Sequence, residues 1–104
     1  MTPVTGALLP NGCFNFSRER VWNFDWSDVA GATAYHLYVI GPTATNPLVD
    51  IEQLSGSSYR LSSTGWANTP LDGWQWRVRA RVGGTFREWS ETRTFSVEFP
   101  NQGC

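Results

Sequence analysis

The sequence predicts an all-β fold, a sandwich of about seven short antiparallel strands within one domain. Apolar and polar residues alternate with a period of two over several short stretches, as they do in half-buried strands. These stretches are rich in aromatic and β-branched residues, and clusters of Gly, Pro, Asn and Ser separate them. Helical periodicity is almost missing, so regularly spaced strands account for most of the chain.

The first two predicted strands differ in the strength of their pattern. Residues 4–9 form a weak strand that a Pro-Asn-Gly turn closes. Residues 21–26 alternate clearly and place Trp22, Phe24 and Trp26 on one face, which we expect to be buried.

The third predicted strand, residues 34–40, lies between a turn at Gly31 and a Gly-Pro pair. Residues 48–51 and 58–61 then form two shorter strands, of which the first is peripheral. The third strand has two distinct faces, with Tyr35, Leu37 and Val39 on one and His36, Tyr38 and Ile40 on the other.

The strand predicted over residues 74–82 carries the most information. Trp74 and Trp76 lie on its buried face, so that with Trp22 and Trp26 four of the 6 tryptophans are assigned to the core. Two consecutive glycines then predict a hairpin turn, and residues 92–99 form the last strand. The opposite face of the strand carries Gln75, Arg77, Arg79 and Arg81.

Several of these stretches resemble, in their order and spacing, a fibronectin type III domain of the bacterial extracellular type. Residues 24–39 resemble its B–C hairpin, with FDWSDVAGA followed by YHLYV. Residues 76–80 (WRVRA) resemble its F strand, and residues 89–97, which contain WS and TFSV, resemble its G strand. Residues 8–12 are similar to the usual exit of the A strand, so the resemblance covers residues 8–97.

The resemblance implies one immunoglobulin-like domain over residues 1–104, with a core at about residues 8–99. It implies a non-catalytic module of a secreted or cell-surface bacterial protein, extracellular or periplasmic, that acts as a spacer or protein–protein interaction domain. Its partners are then another protein or neighbouring domains of the same chain. A carbohydrate-binding accessory domain and a self-assembling surface or filament subunit are the alternatives. Trp74 departs from the family, which usually has there a Tyr whose hydroxyl ties down the preceding loop.

The charge balance and composition exclude several functional classes. The chain carries 8 arginines, no lysine and 9 acidic residues, for a net charge of −1, so it lacks the basic excess of a nucleic-acid binder. No apolar run approaches the length of a membrane span, so no membrane insertion is expected. One histidine and two cysteines are too few for a structural zinc site, and we expect no cofactor.

The two cysteines, Cys13 and Cys104, lie near opposite ends of the chain. In a seven-stranded antiparallel sandwich the first and last strands run in the same direction, so both cysteines follow strand ends at the same pole. We expect an intrachain disulfide, which implies an oxidising compartment. Links between molecules and two free thiols are the alternatives.

The outer face of the predicted sheet is the candidate binding face. Three arginines on one strand face repel one another unless aromatic rings separate them, and Trp89 is placed to stack on Arg77 or Arg79. Glu88 or Glu91 could neutralise another of these three arginines. The pattern fits a self-satisfied ladder that stiffens the sheet, and it also fits a platform for an anionic partner. The candidate face comprises His36, Tyr38, Arg77, Arg79, Arg81 and Trp89.

Candidate catalytic residues are lacking, so we expect no enzyme activity. A Ser–His–Asp arrangement needs a histidine held by a carboxylate, and the one histidine, His36, is expected to be solvent-exposed on its strand. The 9 acidic residues are scattered over turns and strand edges rather than paired across a cleft. For the carbohydrate alternative, Trp66 and Trp89 are the candidate exposed aromatic residues.

Overall fold

Eight strands in two sheets make up the described part of the chain, which comprises residues 2–11, 20–42, 44–63 and 72–98 of a computed structural model. In chain order the strands are β1 (Ala7–Leu9), β2 (Arg20–Asp25), β3 (Ala32–Ile40), β4 (Val49–Leu54), β5 (Ser58–Ser63), β6 (Trp74–Val82), β7 (Thr85–Phe86) and β8 (Arg93–Val97). One sheet has the order β1-β8-β6-β3-β4, with β7 paired to β6, and the other consists of β2 and β5. Among the described residues there is no helix, and therefore none long and apolar enough to cross a membrane.

The predicted all-β fold is confirmed over these residues, with differences at the strand ends. β6 spans the residues predicted for it, and β4 lies at a sheet edge as expected. The first strand begins at Ala7 rather than at residue 4, because residues 2–6 form a bridge and a turn. The last strand ends at Val97, short of residue 99, which lies outside the described residues. β7 is an addition, since two residues are too few to show alternation.

The two sheets face each other through a core of aromatic rings. Trp22 and Phe24 on β2 meet Trp76 on β6 and Phe95 on β8, and each of the four is at most 2% exposed. The ring centroids of Phe24 and Trp76 are 5.3 Å apart and those of Trp22 and Phe95 are 5.5 Å apart, both edge-to-face. The predicted core residues Trp22, Phe24 and Trp76 are therefore buried, whereas Trp74, also predicted to be core, is half-buried. Buried apolar area is the main source of stability in so small a domain.

Trp74 stands where the resemblance expects a Tyr, and ring packing holds it. Its ring is edge-on to Trp22, with 5.3 Å between centroids, and stacks on Phe95 at 6.0 Å. Gly41 lies so close that a Cβ at that position would come within 3.3 Å of the Trp74 ring. Trp74 is thus a half-buried neighbour of the core.

The N-terminal segment connects the two sheets. Thr2 exchanges two backbone hydrogen bonds with Asp25 at the end of β2, of 2.8 and 2.9 Å. The segment then crosses to the other sheet, where β1 pairs in parallel with β8, Ala7 beside Phe95 and Leu9 beside Val97. The first and last strands therefore run in the same direction, as the sequence predicts.

Two core tryptophans hold this segment by their indole N–H groups. Trp76 donates to the Pro3 carbonyl at 3.0 Å, and Trp22 donates to the Pro10 carbonyl at 2.7 Å. Because a buried donor without an acceptor is costly, these two bonds both satisfy the core indoles and fix the path of the segment.

We expect Trp76→Phe to destabilise the fold more than Trp26→Phe does. The two side chains are 0% and 5% exposed, but the Trp26 indole N–H has no hydrogen-bond partner, whereas that of Trp76 binds Pro3. Removing the Trp76 donor leaves a buried carbonyl unsatisfied, which adds about 1–3 kcal/mol to the cost of the lost ring atoms. Urea unfolding of both variants measures the difference, and equal free energies of unfolding would contradict the role given to this bond.

Cys13 and Cys104 lie outside the described residues, but the strands on which their predicted pairing depends run as expected. We expect one intrachain disulfide, which closes a loop of about 90 residues and contributes about 4–5 kcal/mol by loop-closure entropy. The denatured, unreduced protein should then show no reactive thiol. Reduction should lower Tm without changing the elution volume of the monomer. Two reactive thiols, or a dimer that reductant dissociates, would show the pairing to be wrong.

Candidate functional site

The outer face of the six-stranded sheet brings the predicted binding residues together. Directly opposed residues of an antiparallel pair share a face, so His36 lies beside Arg79 and Tyr38 lies beside Arg77. Arg81 follows on the same face of β6 and is exposed. The five predicted binding residues on β3 and β6 are thus neighbours on one face of the sheet.

Trp89 reaches this face through a bulge in the segment that borders β6. Arg81 pairs with Phe86 at one end of this segment, and Trp76 pairs with Arg93 at the other. Residues 87–92 therefore lie opposite residues 77–80, so six residues face four. The Ser90 N–H donates to the Val78 carbonyl at 2.7 Å, and the Ser90 hydroxyl accepts from the Val78 N–H at 3.1 Å. The extra residues let the chain kink, and Trp89 turns over the arginine side chains.

Two arginines and three aromatic rings alternate on this face and form what we call the ladder: Tyr38, Arg77, Trp89, Arg79 and Phe86. The Arg77 Cζ lies 5.0 Å from the Tyr38 ring centroid and 4.3 Å from that of Trp89. The Arg79 Cζ lies 4.4 Å from the Trp89 centroid and 4.3 Å from that of Phe86. The predicted stacking of Trp89 is confirmed, because it contacts both arginines. Such a contact contributes about 0.5–2 kcal/mol.

His36 is buried, with 5% exposure, so the expectation that it is solvent-exposed is wrong. The Trp89 and Phe86 rings cover it, with centroids 4.6 and 5.7 Å from its own. Its Nδ1 accepts a hydrogen bond from Arg79 Nε at 3.0 Å, and its Nε2 lies 2.5 Å from Asp50 Oδ1. These partners assign the proton to Nε2, which donates to Asp50. Both ring nitrogens are therefore engaged.

Two contributors to this site, Phe86 and Asp50, were not singled out by the sequence pattern. Phe86 follows the two-glycine turn, and its position opposite Arg81 comes from β7, which is too short to predict. Asp50 lies opposite Tyr38 across β3 and β4, a register that includes an irregularity and so cannot be read from alternation. The neighbours of His36 could therefore be predicted only with the positions of both β4 and β7 known.

The acidic residues near the ladder do not neutralise it, contrary to expectation. Glu91 Oε1 instead binds Arg93 Nη2 at 2.8 Å, and Glu88 is exposed without an ion pair to any described residue. Trp89 is half-buried rather than an open platform, because guanidinium groups and the His36 ring lie against it.

The two ladder arginines differ in their remaining contacts. Arg79 uses its Nε–H on His36. Arg77 makes no hydrogen bond or ion pair with a described residue, and its Nε is buried without a partner. Arg77 therefore carries a half-buried positive charge that ring contacts alone support.

A cleft of about 230 Å³ opens beside this guanidinium, and we call it the Arg77 cleft. It lies at the junction of β3, β6 and the start of β8 on the outer face. Its lining residues include one positively charged side chain, Arg77, and no acidic one. The lining residues are Tyr38, Ile40, Gln75, Trp76, Arg77 and Thr92.

Cys13, Cys104 and Trp66, the other predicted site residues, lie outside the described residues. Within the described ranges, no three His, Cys, Asp or Glu side chains gather into a group that could hold a metal ion. No protein-family model, curated protein or solved structure matches the chain. The ladder, the buried histidine and the Arg77 cleft are therefore the basis for inferring its function.

We expect Trp89 and Arg79 to be energetically coupled. In a double-mutant cycle of Trp89→Leu and Arg79→Met, the coupling free energy should be about 0.5–2 kcal/mol, because each single change removes the same ring–guanidinium contact. Arg81→Met gives the matched control cycle, since Arg81 lies on the same strand face but makes no contact with the Trp89 ring. Urea unfolding measures both cycles. A coupling no larger than that of the control cycle would show the ladder to be energetically inert.

Proposed function

We propose that this chain is a non-catalytic β-sandwich module of the immunoglobulin-like, fibronectin type III kind. It belongs to a secreted or cell-surface bacterial protein and acts as a spacer or protein–protein interaction domain. The outer face of its six-stranded sheet is the docking surface for a protein partner or a neighbouring domain. The observation that carries the proposal is the Arg77 cleft beside a preassembled ladder.

The sheet order supports the fold part of this proposal. An immunoglobulin-like sandwich needs its third, sixth and last main strands side by side in one sheet and its second and fifth paired in the other. Here β3, β6 and β8 are neighbours and β2 pairs with β5. The sequence resemblance assigns β2, β3, β6 and β8 to the B, C, F and G strands of that fold.

The ladder supports the binding part. Burying two guanidinium groups between rings fixes their position before a partner arrives, so little conformational entropy is lost on binding. Arginine and aromatic side chains are also the types enriched where protein interfaces concentrate their binding energy. A flat sheet face with such residues half-exposed is a surface on which another protein docks.

The same geometry disfavours the alternatives. His36 is buried and both of its nitrogens are engaged, so this histidine has no free nitrogen to act as a general base toward a substrate in solution. The Trp89 ring, one of the two aromatic residues considered for sugar stacking, is already occupied by Arg77 and Arg79.

Site-specific photo-crosslinking tests the proposed docking face. A benzoylphenylalanine placed at Thr92, beside the Arg77 cleft, should give a discrete adduct with a protein of the extracellular or surface fraction, and excess unmodified protein should compete it away. The same group at Ser62, an exposed position on the two-stranded sheet, is the matched control and should give none. Equal adducts from both positions, or none from either, would contradict the proposal.

A panel of polysaccharides, followed by tryptophan fluorescence, tests the carbohydrate alternative on the same protein. We expect no saturable change, since the Trp89 ring faces are in contact with arginines. A saturable change with a neutral polysaccharide would favour the carbohydrate-binding alternative over the protein-interaction module.

A further inference from the structure

We propose that the Arg77 cleft binds a carboxylate side chain, Asp or Glu, presented by the protein partner. The inference rests on the proposed function as a protein-interaction module and names the chemical group that its docking face recognises. It follows from the state of the Arg77 guanidinium, the chemistry of the cleft wall and the size of the cleft.

Aromatic rings hold the Arg77 guanidinium in position, but its N–H groups donate no hydrogen bond to a described residue. The Tyr38 and Trp89 rings contact it at 5.0 and 4.3 Å from Cζ to the ring centroids. Contacts of this kind engage the flat faces of the group, whereas its N–H donors point outward in the plane. No described residue accepts from those donors. A carboxylate is the acceptor whose geometry fits the planar donor fork, through two parallel hydrogen bonds.

The wall of the cleft favours an anion over a neutral group. Besides Arg77, the lining residues include the polar side chains Tyr38, Gln75 and Thr92, each with an O–H or N–H that can donate to a second carboxylate oxygen. No acidic residue is in the lining, so an incoming carboxylate meets no repulsion from the wall. Partial burial of the guanidinium strengthens its attraction for an anion relative to the same pair in open water.

The size of the cleft indicates one side chain rather than a larger ligand. Its volume of about 230 Å³ is below the range of roughly 300–1,000 Å³ typical of sites for small organic molecules. A glutamate or aspartate side chain enters such a space while the rest of its protein rests on the surrounding sheet.

The other arginines on this face are less suited to the role. Arg79 donates its Nε–H to His36 and lies between the Trp89 and Phe86 rings. Arg81 is exposed, so holding it in one geometry costs more side-chain entropy. Arg77 is the ladder arginine that the rings hold in place while no described residue accepts from its donors.

Nuclear magnetic resonance titration of the ¹⁵N-labelled full chain tests the inference. The probe is N-acetyl-glutamate N-methylamide, and its neutral counterpart N-acetyl-glutamine N-methylamide is the ligand control. We expect saturable shifts of the Arg77 and Trp89 side-chain N–H signals with the glutamate probe, weakened by added sodium chloride, and at least tenfold weaker binding of the glutamine probe.

Substitutions localise the binding. Arg77→Gln should weaken the glutamate probe at least tenfold, Arg77→Lys should weaken it less because charge is kept and the fork is lost, and Arg81→Gln should change it less than twofold. A spectrum that shows each variant folded accompanies each titration. Equal binding of the two probes, or binding that survives Arg77→Gln in a folded variant, would overturn the inference. So would stronger, Arg77-dependent binding of galacturonate or of inorganic sulfate, which would assign the cleft to another anion.

The two proposals fail in distinguishable ways. If the carboxylate site is wrong and the docking face is right, the Thr92 photo-crosslink forms but the glutamate probe does not bind. If the docking face is wrong, the probe binds through Arg77 but no competed crosslink forms at Thr92.

Discussion

The outer face of this molecule depends on one indole ring placed between two positive charges. Alternate residues of a strand lie about 6.6 Å apart, and two cations at that distance near a protein surface repel by about 2–3 kcal/mol. Trp89 lies within 4.4 Å of both Arg77 and Arg79 and replaces much of that repulsion with attraction to its ring. The same ring covers His36 and contacts the Arg77 guanidinium that borders the adjacent cleft.

The backbone conformation between β7 and β8 determines the position of Trp89. A regular partner strand of β6 would continue the alternation of β7 past Phe86. Two extra residues between β7 and β8 break that alternation. The Ser90 hydroxyl and N–H both bond to the backbone of Val78, which anchors the kink immediately after the ring. The kink is local, and the sheet loses only a few inter-strand backbone hydrogen bonds to it.

Periodicity predicted the framework of the fold well because burial on one face is what creates alternation. It placed Trp22, Phe24 and Trp76 in the core and His36 and Tyr38 on the outer face, all of which the described residues bear out. It did not predict that His36 is buried, since its cover comes from a bulge and from a two-residue strand, neither of which has a period. The Asp50 contact depends on an irregular register between β3 and β4, which only a three-dimensional arrangement reveals.

The same limit applies to the site. Arg77, Arg79 and Trp89 were predictable as neighbours from composition and strand order, and the chemistry of stacking followed. What distinguishes Arg77 from Arg79 is that a histidine accepts from one guanidinium and not from the other. That difference decides which guanidinium keeps its N–H donors unused by described residues, and it depends on distances of a few ångströms rather than on residue type.

The parallel pairing of β1 with β8 has a mechanical consequence. Because the two terminal strands run side by side in the same direction, tension applied between the two ends of a chain whose Cys13 and Cys104 are reduced pulls them past each other lengthwise. Their hydrogen bonds are then loaded together instead of one after another, and the indole bonds of Trp76 and Trp22 to the N-terminal segment share the load. The pairing therefore gives the sheet resistance to extension along the direction of its strands.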